Sequence, residues 1–223
     1  VTGEIDSDAL QVTADVELVV GRVLTGTVLG GTAEDPSGQS ESVPVQEARI
    51  SYWSRYFDRS VETGPDGSYI LRGLPWDEEM DGSLYVWADY HFPTYIDADD
   101  GATTILELGG KVYAGLKLLD LGDDDSGHSG NVRLTSADGG SSTWFSIWGT
   151  GDPEPYGLGL VHAGTYAAQF SADGWVTQYY DNATSAGDAT PVIVAPGEDT
   201  HLGIVSLSRI TSLSGTVTAG EGP

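Results

Sequence analysis

Apolar and polar residues alternate with a period of two in many short segments of this 223-residue chain. The segments at residues 48–52, 84–88 and 166–170 are the clearest examples. Turn signals such as Pro65-Asp66-Gly67 and Asp138-Gly139-Gly140 separate them. Every window long enough for a helix is interrupted by glycine, proline or β-branched residues. The pattern predicts an all-β chain built as a sandwich or barrel.

A boundary pattern occurs three times along the chain. It runs from a small polar turn through an apolar strand to a second strand that contains Gly26, Gly115 or Gly215. The copies are separated by about the length of one small sandwich domain. The short joins between them favour a stiff array. We therefore expect two domains, at residues 22–109 and 110–208, with 1–21 as the end strand of a preceding repeat or a lead-in and 209–223 as the start of a following repeat or a tail.

Charge and cysteine content exclude several classes of function. The chain has 34 acidic and 9 basic residues, a formal net charge of −25, and no cysteine. Phosphate binding needs clustered Lys and Arg, so neither nucleic acid nor an anionic membrane surface is an expected partner. No apolar run approaches the length of a membrane helix, which excludes membrane insertion. Two origins remain open for the charge, a secreted surface protein or a halophilic source.

Short motifs in the expected first domain carry a family resemblance. In order they are Gly26-Thr27-Val28, Pro44-Val45-x-x-Ala48-x-Ile50, Thr63-x-x-Asp66-Gly67-x-Tyr69, Gly73-Leu74-Pro75 and Gly82-x-Leu84-x-Val86-x-Ala88. This order resembles the carboxypeptidase regulatory-like module, a prealbumin-like β-sandwich close to the Cna-B domains of bacterial surface proteins. The second domain resembles a variant of it, with His162-Ala163-Gly164-Thr165-Tyr166 and Pro196-Gly197. The first domain departs from the pattern in the long acidic loop 76–81.

The resemblance implies an all-β protein of two tandem prealbumin-like (Ig-like) β-sandwich domains, secreted or on a bacterial cell surface. It implies non-catalytic modules that serve as stalk or scaffold and in adhesion, with neighbouring repeats of the same chain as partners. The alternative is a carbohydrate-binding accessory region of a secreted polysaccharide-degrading enzyme. We expect no enzymatic activity in this chain, because it has no Gly-x-Ser-x-Gly elbow, no His-Glu-x-x-His and no phosphate-cradling loop.

Aromatic residues supply the candidate ligand site. Alternate side chains of a strand point to opposite faces, so Tyr85 and Trp87 should face outward if Leu84 and Val86 face the core. By the same rule Trp53 should face outward, and Trp144 and Trp148 should share one face. Outward rings of this kind stack on sugars, which makes a polysaccharide or surface glycan a candidate partner. The candidate glycan site consists of Trp53, Trp76, Tyr85, Trp87, Trp144 and Trp148. The alternative is packing of these rings between units or beneath a loop.

Clusters of aspartate give the candidate metal site. Asp120, Asp123 and Asp125 lie in one loop, and calcium takes several oxygen ligands from such loops. A second cluster is formed by Asp97, Asp99 and Asp100. None follows the EF-hand spacing, so solvated turns are the alternative. We expect no required cofactor, with calcium as the one candidate.

Overall fold

The computed structural model describes residues 21–31, 42–53, 58–74, 83–119, 129–150 and 154–210. Every regular element in these ranges is a β-strand, which confirms the predicted all-β class. The strands fall into two sets that share no ladder among the described residues. We call these sets the first and second units. The predicted end segments 1–21 and 209–223 lie outside the described ranges except for Gly21, Arg209 and Ile210.

The first unit has eight strands in the described ranges: β1 Arg22–Gly31, β2 Val43–Pro44, β3 Arg49–Trp53, β4 Asp58–Glu62, β5 Ser68–Leu74, β6 Ser83–Trp87, β7 Thr94–Asp97 and β8 Ala102–Glu107. One sheet has β1 at its centre, with β2 and β5 antiparallel to it and β8 parallel to it. The other sheet runs in the order β4-β3-β6-β7. Leu24, Val28, Ile50, Leu84 and Leu106, drawn from both sheets, form one buried core. The unit is therefore a β-sandwich.

The second unit also has eight strands in the described ranges: β9 Gly109–Leu118, β10 Ser129–Ser136, β11 Ser142–Thr150, β12 Tyr156–His162, β13 Gly164–Ala172, β14 Gln178–Tyr179, β15 Val192–Val194 and β16 Asp199–Leu207. β9 lies between antiparallel β12 and parallel β16. The end of β11 also pairs with β9 in parallel, which joins all eight strands into one sheet folded around the core. β10 lies between β11 and β13, both antiparallel to it. Val112, Leu134, Ile147, Phe170 and Val205 belong to a single buried cluster, so this unit is a second sandwich.

The two units repeat one strand plan. β1 and β9 each pair with an antiparallel strand and with the last strand of their own unit in parallel. β3 and β10 are each the central strand between two antiparallel neighbours. The paired glycines of the sequence repeat, Gly26 and Gly115, lie in β1 and β9. This correspondence supports the proposed domain division near Gly109-Gly110.

The turn before β8 is tied to β1. The backbone N–H and the hydroxyl of Thr25 both donate to Asp100 Oδ1, at 2.9 and 2.6 Å. Gly101 N donates to the Thr25 carbonyl at 2.8 Å. The acidic cluster of Asp97, Asp99 and Asp100 therefore contains at least one carboxylate that fixes strand position.

Gly26 makes a close approach that a side chain would block. It pairs with Tyr69, and a Cβ added at Gly26 would lie 2.5 Å from the buried Tyr69 ring. We expect Gly26→Ala to lower the free energy of unfolding of the first unit by about 1–3 kcal/mol through overpacking. Thermal unfolding followed by circular dichroism measures the loss. Gly140→Ala is the control, because its nearest neighbour would lie at an ordinary 3.4 Å. Equal stability of the two variants would contradict the packing argument.

The hydrogen bonds between Thr25 and Asp100 lead to a prediction about pH. The bond from the Thr25 hydroxyl is the larger cause and the bond from the Thr25 backbone N–H the next, and they hold the pKa of Asp100 below its usual value. The stabilisation is present above the unfolded pKa of about 3.9 and is lost as pH falls through the lower folded pKa. We expect Thr25→Val to raise the pKa of Asp100, measured by NMR titration of its carboxyl carbon. The pKa of Asp66, which is lowered by Ser68, should not move and serves as the internal control.

Candidate functional site

The outward side of the β4-β3-β6-β7 sheet carries a group of aromatic rings. This first outer face contains Trp53, Tyr85, Trp87 and Tyr95. Leu84 and Val86 alternate with two of these residues and are buried in the core. Trp53 is 80% exposed and Trp87 is 42% exposed, so the outward orientation inferred from strand parity is confirmed.

The two tryptophans of this face lie apart rather than side by side. Trp87 pairs with Arg49 at one end of β3, whereas Trp53 pairs with Asp58 at the other end. Four residues of strand correspond to a separation of about 13 Å along the strand direction. Tyr85 and Tyr95 occupy the middle, with ring centroids 5.0 Å apart. The face is therefore a row of rings that extends about 13 Å along the strands.

The outward side of the β11-β10-β13 sheet forms the second outer face. Trp144 is 67% exposed and Trp148 is 62% exposed, while Ile147 between them is buried. Trp144 pairs directly with Arg133, and Arg133 pairs on its other side with Gln169. Gln169 Nε2 donates to the Tyr179 hydroxyl at 3.1 Å. A cavity of about 710 Å³ lies over this face, lined by Arg133, Thr135, Thr165, Gln169 and Tyr179 with residues of the 186–191 loop.

The join between the units is short and contacts its neighbours closely. Only Leu108 separates β8 from β9. Gly109 N donates to the Tyr90 carbonyl at 2.7 Å, and Gly197 N donates to the Gly109 carbonyl at 2.8 Å. Both units therefore bond to the backbone at Gly109.

Side chains reinforce the join in two places. The rings of Phe92 and His162 stack with centroids 4.1 Å apart, and His162 Nδ1 lies 2.6 Å from Glu107 Oε1. Lys111 Nζ lies 2.5 Å from Asp89 Oδ1 and 4.2 Å from the centre of the Tyr90 ring. We call Asp89, Tyr90, Phe92, Lys111 and His162 the joint contacts.

Two of the joint contacts have raised pKa values. The hydrogen bond to Asp89 raises the pKa of Lys111. Tyr90 Oη donates to Asp199 Oδ1 at 2.9 Å, and this bond raises the pKa of Tyr90. Lys111 of the second unit contacts Asp89 of the first, and Tyr90 of the first unit donates to Asp199 of the second. Both contacts therefore hold the two units together.

A cavity of about 400 Å³ opens at the join. Tyr85, Trp87 and Pro93 line it from the first unit, and Lys111, Tyr113 and Leu160 from the second. Tyr85 and Trp87 also belong to the first outer face, so that face continues into the cavity. The volume is within the range of small-molecule sites.

Sequence reasoning missed several of these residues. Tyr95 alternates with Ile96 in a short strand, and that alternation was the available signal. Lys111 is one of only two lysines, but the sequence does not indicate its pairing with Asp89. Trp76 and the candidate calcium ligands Asp120, Asp123 and Asp125 lie outside the described residues.

The described residues contain no group of three or more His, Asp or Glu side chains placed to hold a metal ion. Within the same ranges no helix is long and apolar enough to cross a membrane.

Comparison with known proteins finds likeness only among solved structures. No protein-family model and no curated protein matches the chain. The chain is similar to the Bacillus anthracis TIE protein at 16% identity and a TM-score of 0.27, over 86% of this chain and 34% of that one. It is similar to the shaft pilin SpaA from Lactobacillus rhamnosus GG at 10% identity and 0.26, over 86% and 100%. It is similar to a streptococcal ancillary pilin at 11% identity and 0.27, over 85% and 63%.

The chain spans about a third of the length of the Bacillus anthracis protein. At such low identities and TM-scores the likeness says nothing about what this chain binds or does. The carboxypeptidase regulatory-like family remains a resemblance in the motifs.

The stacked pair at the join makes a prediction about motion. We expect Phe92→Ala to let the two units reorient more freely, because the change removes the ring that lies against His162. Amide nitrogen relaxation by NMR should show shorter rotational correlation times for both units in the variant. Val176→Ala, an exposed change in the second unit, is the control. Unchanged correlation times in Phe92→Ala would show that the stack does not restrain the join.

Proposed function

We propose that this chain is a non-catalytic, load-bearing segment of an extracellular multidomain protein, a piece of a stalk. The two units are consecutive repeats, residues 22–109 and 110–208, whose partners are neighbouring repeats of the same protein. The observation that carries the proposal is the parallel pairing of the first and last strands within each unit. In the first unit the pairs run from Gly26 with Ala102 to Gly31 with Glu107. In the second they run from Lys111 with Asp199 to Leu118 with Leu207.

Parallel pairing sets how a unit responds to tension. The chain enters the first unit at the start of β1 and leaves it at the end of β8, and these points lie at opposite ends of the paired strands. A pull on both ends slides the two strands along each other. All the ladder hydrogen bonds then carry the load together instead of opening one at a time. The second unit has the same geometry.

The join extends this argument from one unit to two. A single residue between β8 and β9 leaves little slack, and the joint contacts come from both units. Each exposed pair contributes little by itself. Together with the backbone bonds at Gly109 they oppose bending between the units. Tension therefore passes from β8 directly into β9.

The surface charge fits an exposed position outside the cell. A net charge of −25 keeps copies of the chain apart by repulsion.

The turn that contains Trp175 bonds to the backbone beyond β16, since Ile210 N donates to the Gly174 carbonyl at 2.8 Å. The chain is therefore hydrogen-bonded to the second unit as far as Ile210, where the proposed following repeat begins.

Force spectroscopy on single molecules tests the proposal. The chain has no cysteine, so attachment cysteines can be placed freely. Pulling from residues 21 and 210 should give two separate unfolding events at high force. The matched control pulls the first unit through positions 25 and 102, where the strands separate from one end. We expect that geometry to yield at clearly lower force. Equal forces in the two geometries would overturn the load-bearing role.

A further inference from the structure

We propose that the two outer faces are binding sites for an uncharged polysaccharide, each containing an arginine. This inference concerns a ligand site and is independent of the load-bearing role. It rests on an Arg–Ser hydrogen bond with an exposed tryptophan opposite the arginine, which occurs in both units.

In the first unit the arrangement is Arg49, Ser60 and Trp87. Arg49 lies on the central strand β3, directly opposite Trp87 on β6. Its Nη2 donates to Ser60 Oγ at 3.1 Å. Ser60 pairs with Ser51, which is two residues further along β3 than Arg49.

In the second unit the arrangement is Arg133, Ser142 and Trp144. Arg133 lies on the equivalent central strand β10, directly opposite Trp144 on β11. Its Nη2 donates to Ser142 Oγ at 3.3 Å. Ser142 pairs with Thr135, again two residues beyond the arginine. The Arg–Ser geometry is therefore the same, while the tryptophan lies on opposite sides of the central strand in the two units.

Both guanidinium groups lack an acidic partner within the described part of the chain. The lysine–carboxylate pair found there is Lys111 with Asp89, and Glu107 Oε1 lies 2.6 Å from His162 Nδ1. Arg49 pairs across the ladder with Glu62 but makes no ion pair with it. In a chain with 34 acidic and 9 basic residues, two arginines with unused N–H donors beside exposed tryptophans are notable. Arg has five donors in a fixed fork, and one bond to serine leaves most of them available.

One residue of each arrangement lines a cavity. Trp87 lines the 400 Å³ cavity at the join, and Arg133 lines the 710 Å³ cavity of the second outer face. Both volumes are typical of sites that hold small molecules or parts of polymers.

The chemistry of these sites matches a sugar chain. A flat ring packs against the apolar face of a pyranose, and serine, threonine and arginine bond to its hydroxyls. Net charge decides between ligand classes, because a chain at −25 repels a polyanion. Two sites on one chain suit a repeating polymer, since binding at one raises the effective concentration at the other. The occupant is therefore a neutral polysaccharide.

Affinity electrophoresis tests the inference with the intact chain. The gels contain mixed-linkage β-glucan, dextran, xylan or polygalacturonate. We expect retardation in at least one of the three neutral gels and none in polygalacturonate. Trp87→Ala and Trp144→Ala should each weaken the retardation constant about tenfold, as is usual when a central aromatic contact is truncated. The double variant should migrate as in a gel without polysaccharide.

Arginine variants test the centre of each site. Arg49→Gln and Arg133→Gln should weaken retardation, whereas Arg72→Gln, an exposed arginine on β5 of the other sheet, should not. Circular dichroism checks that every variant is folded. The inference is overturned if no neutral gel retards the chain, if polygalacturonate alone does, or if Arg72→Gln weakens retardation as much as Arg49→Gln and Arg133→Gln.

Discussion

Parallel pairing between the first and last strands of each unit is the constraint on which the rest of the structure depends. It makes β1 and β9 the central strands of their sheets, with an antiparallel neighbour on one side and the terminal strand on the other. The connection between these strands must then contain all the other strands of the unit. These strands enclose one core per unit, in which Val28 and Val112 from the central strands are completely buried. A parallel pair cannot close by a tight turn, so this pairing also separates the two points at which the chain enters and leaves.

Separation of those two points makes the close join between units possible. The end of β8 and the start of β9 need only Leu108 between them. Gly109 has no side chain to interfere there, and an added Cβ would lie 2.8 Å from the Phe92 ring and from the Val161 carbonyl oxygen. The absence of a Cβ lets Phe92 reach His162 of the second unit. The join is thus a consequence of the strand order together with one glycine.

The few basic residues occupy defined positions in this acidic chain. Lys111 pairs with Asp89 at the join, and Arg22 Nη2 donates to the Ala98 carbonyl at 2.8 Å beside the β1/β8 ladder. Arg49 and Arg133 lie on the outer faces with serine as their hydrogen-bond partner. Acidic residues occupy exposed turns, where Asp66 and Asp138 cap neighbouring backbone and hydroxyl groups. Several charged side chains of this chain therefore fix local structure through specific hydrogen bonds and one lysine–carboxylate pair.

The sequence by itself determined the strands and their faces. Alternation at residues 84–88 predicts that Leu84 and Val86 are buried and that Trp87 faces solvent, and the structure confirms this. The prediction succeeds because the direction of side chains along a strand alternates locally with a period of two. Of the three repeated glycines, Gly26 and Gly115 lie on the corresponding strands β1 and β9, and Gly215 lies outside the described residues. Tertiary structure alone decided which residues meet across strands, such as Arg49 with Trp87, Arg133 with Trp144, and Lys111 with Asp89. Those contacts depend on strand register and sheet order, which are set by the closure of the whole sandwich. The local alternation of apolar and polar residues therefore does not predict them.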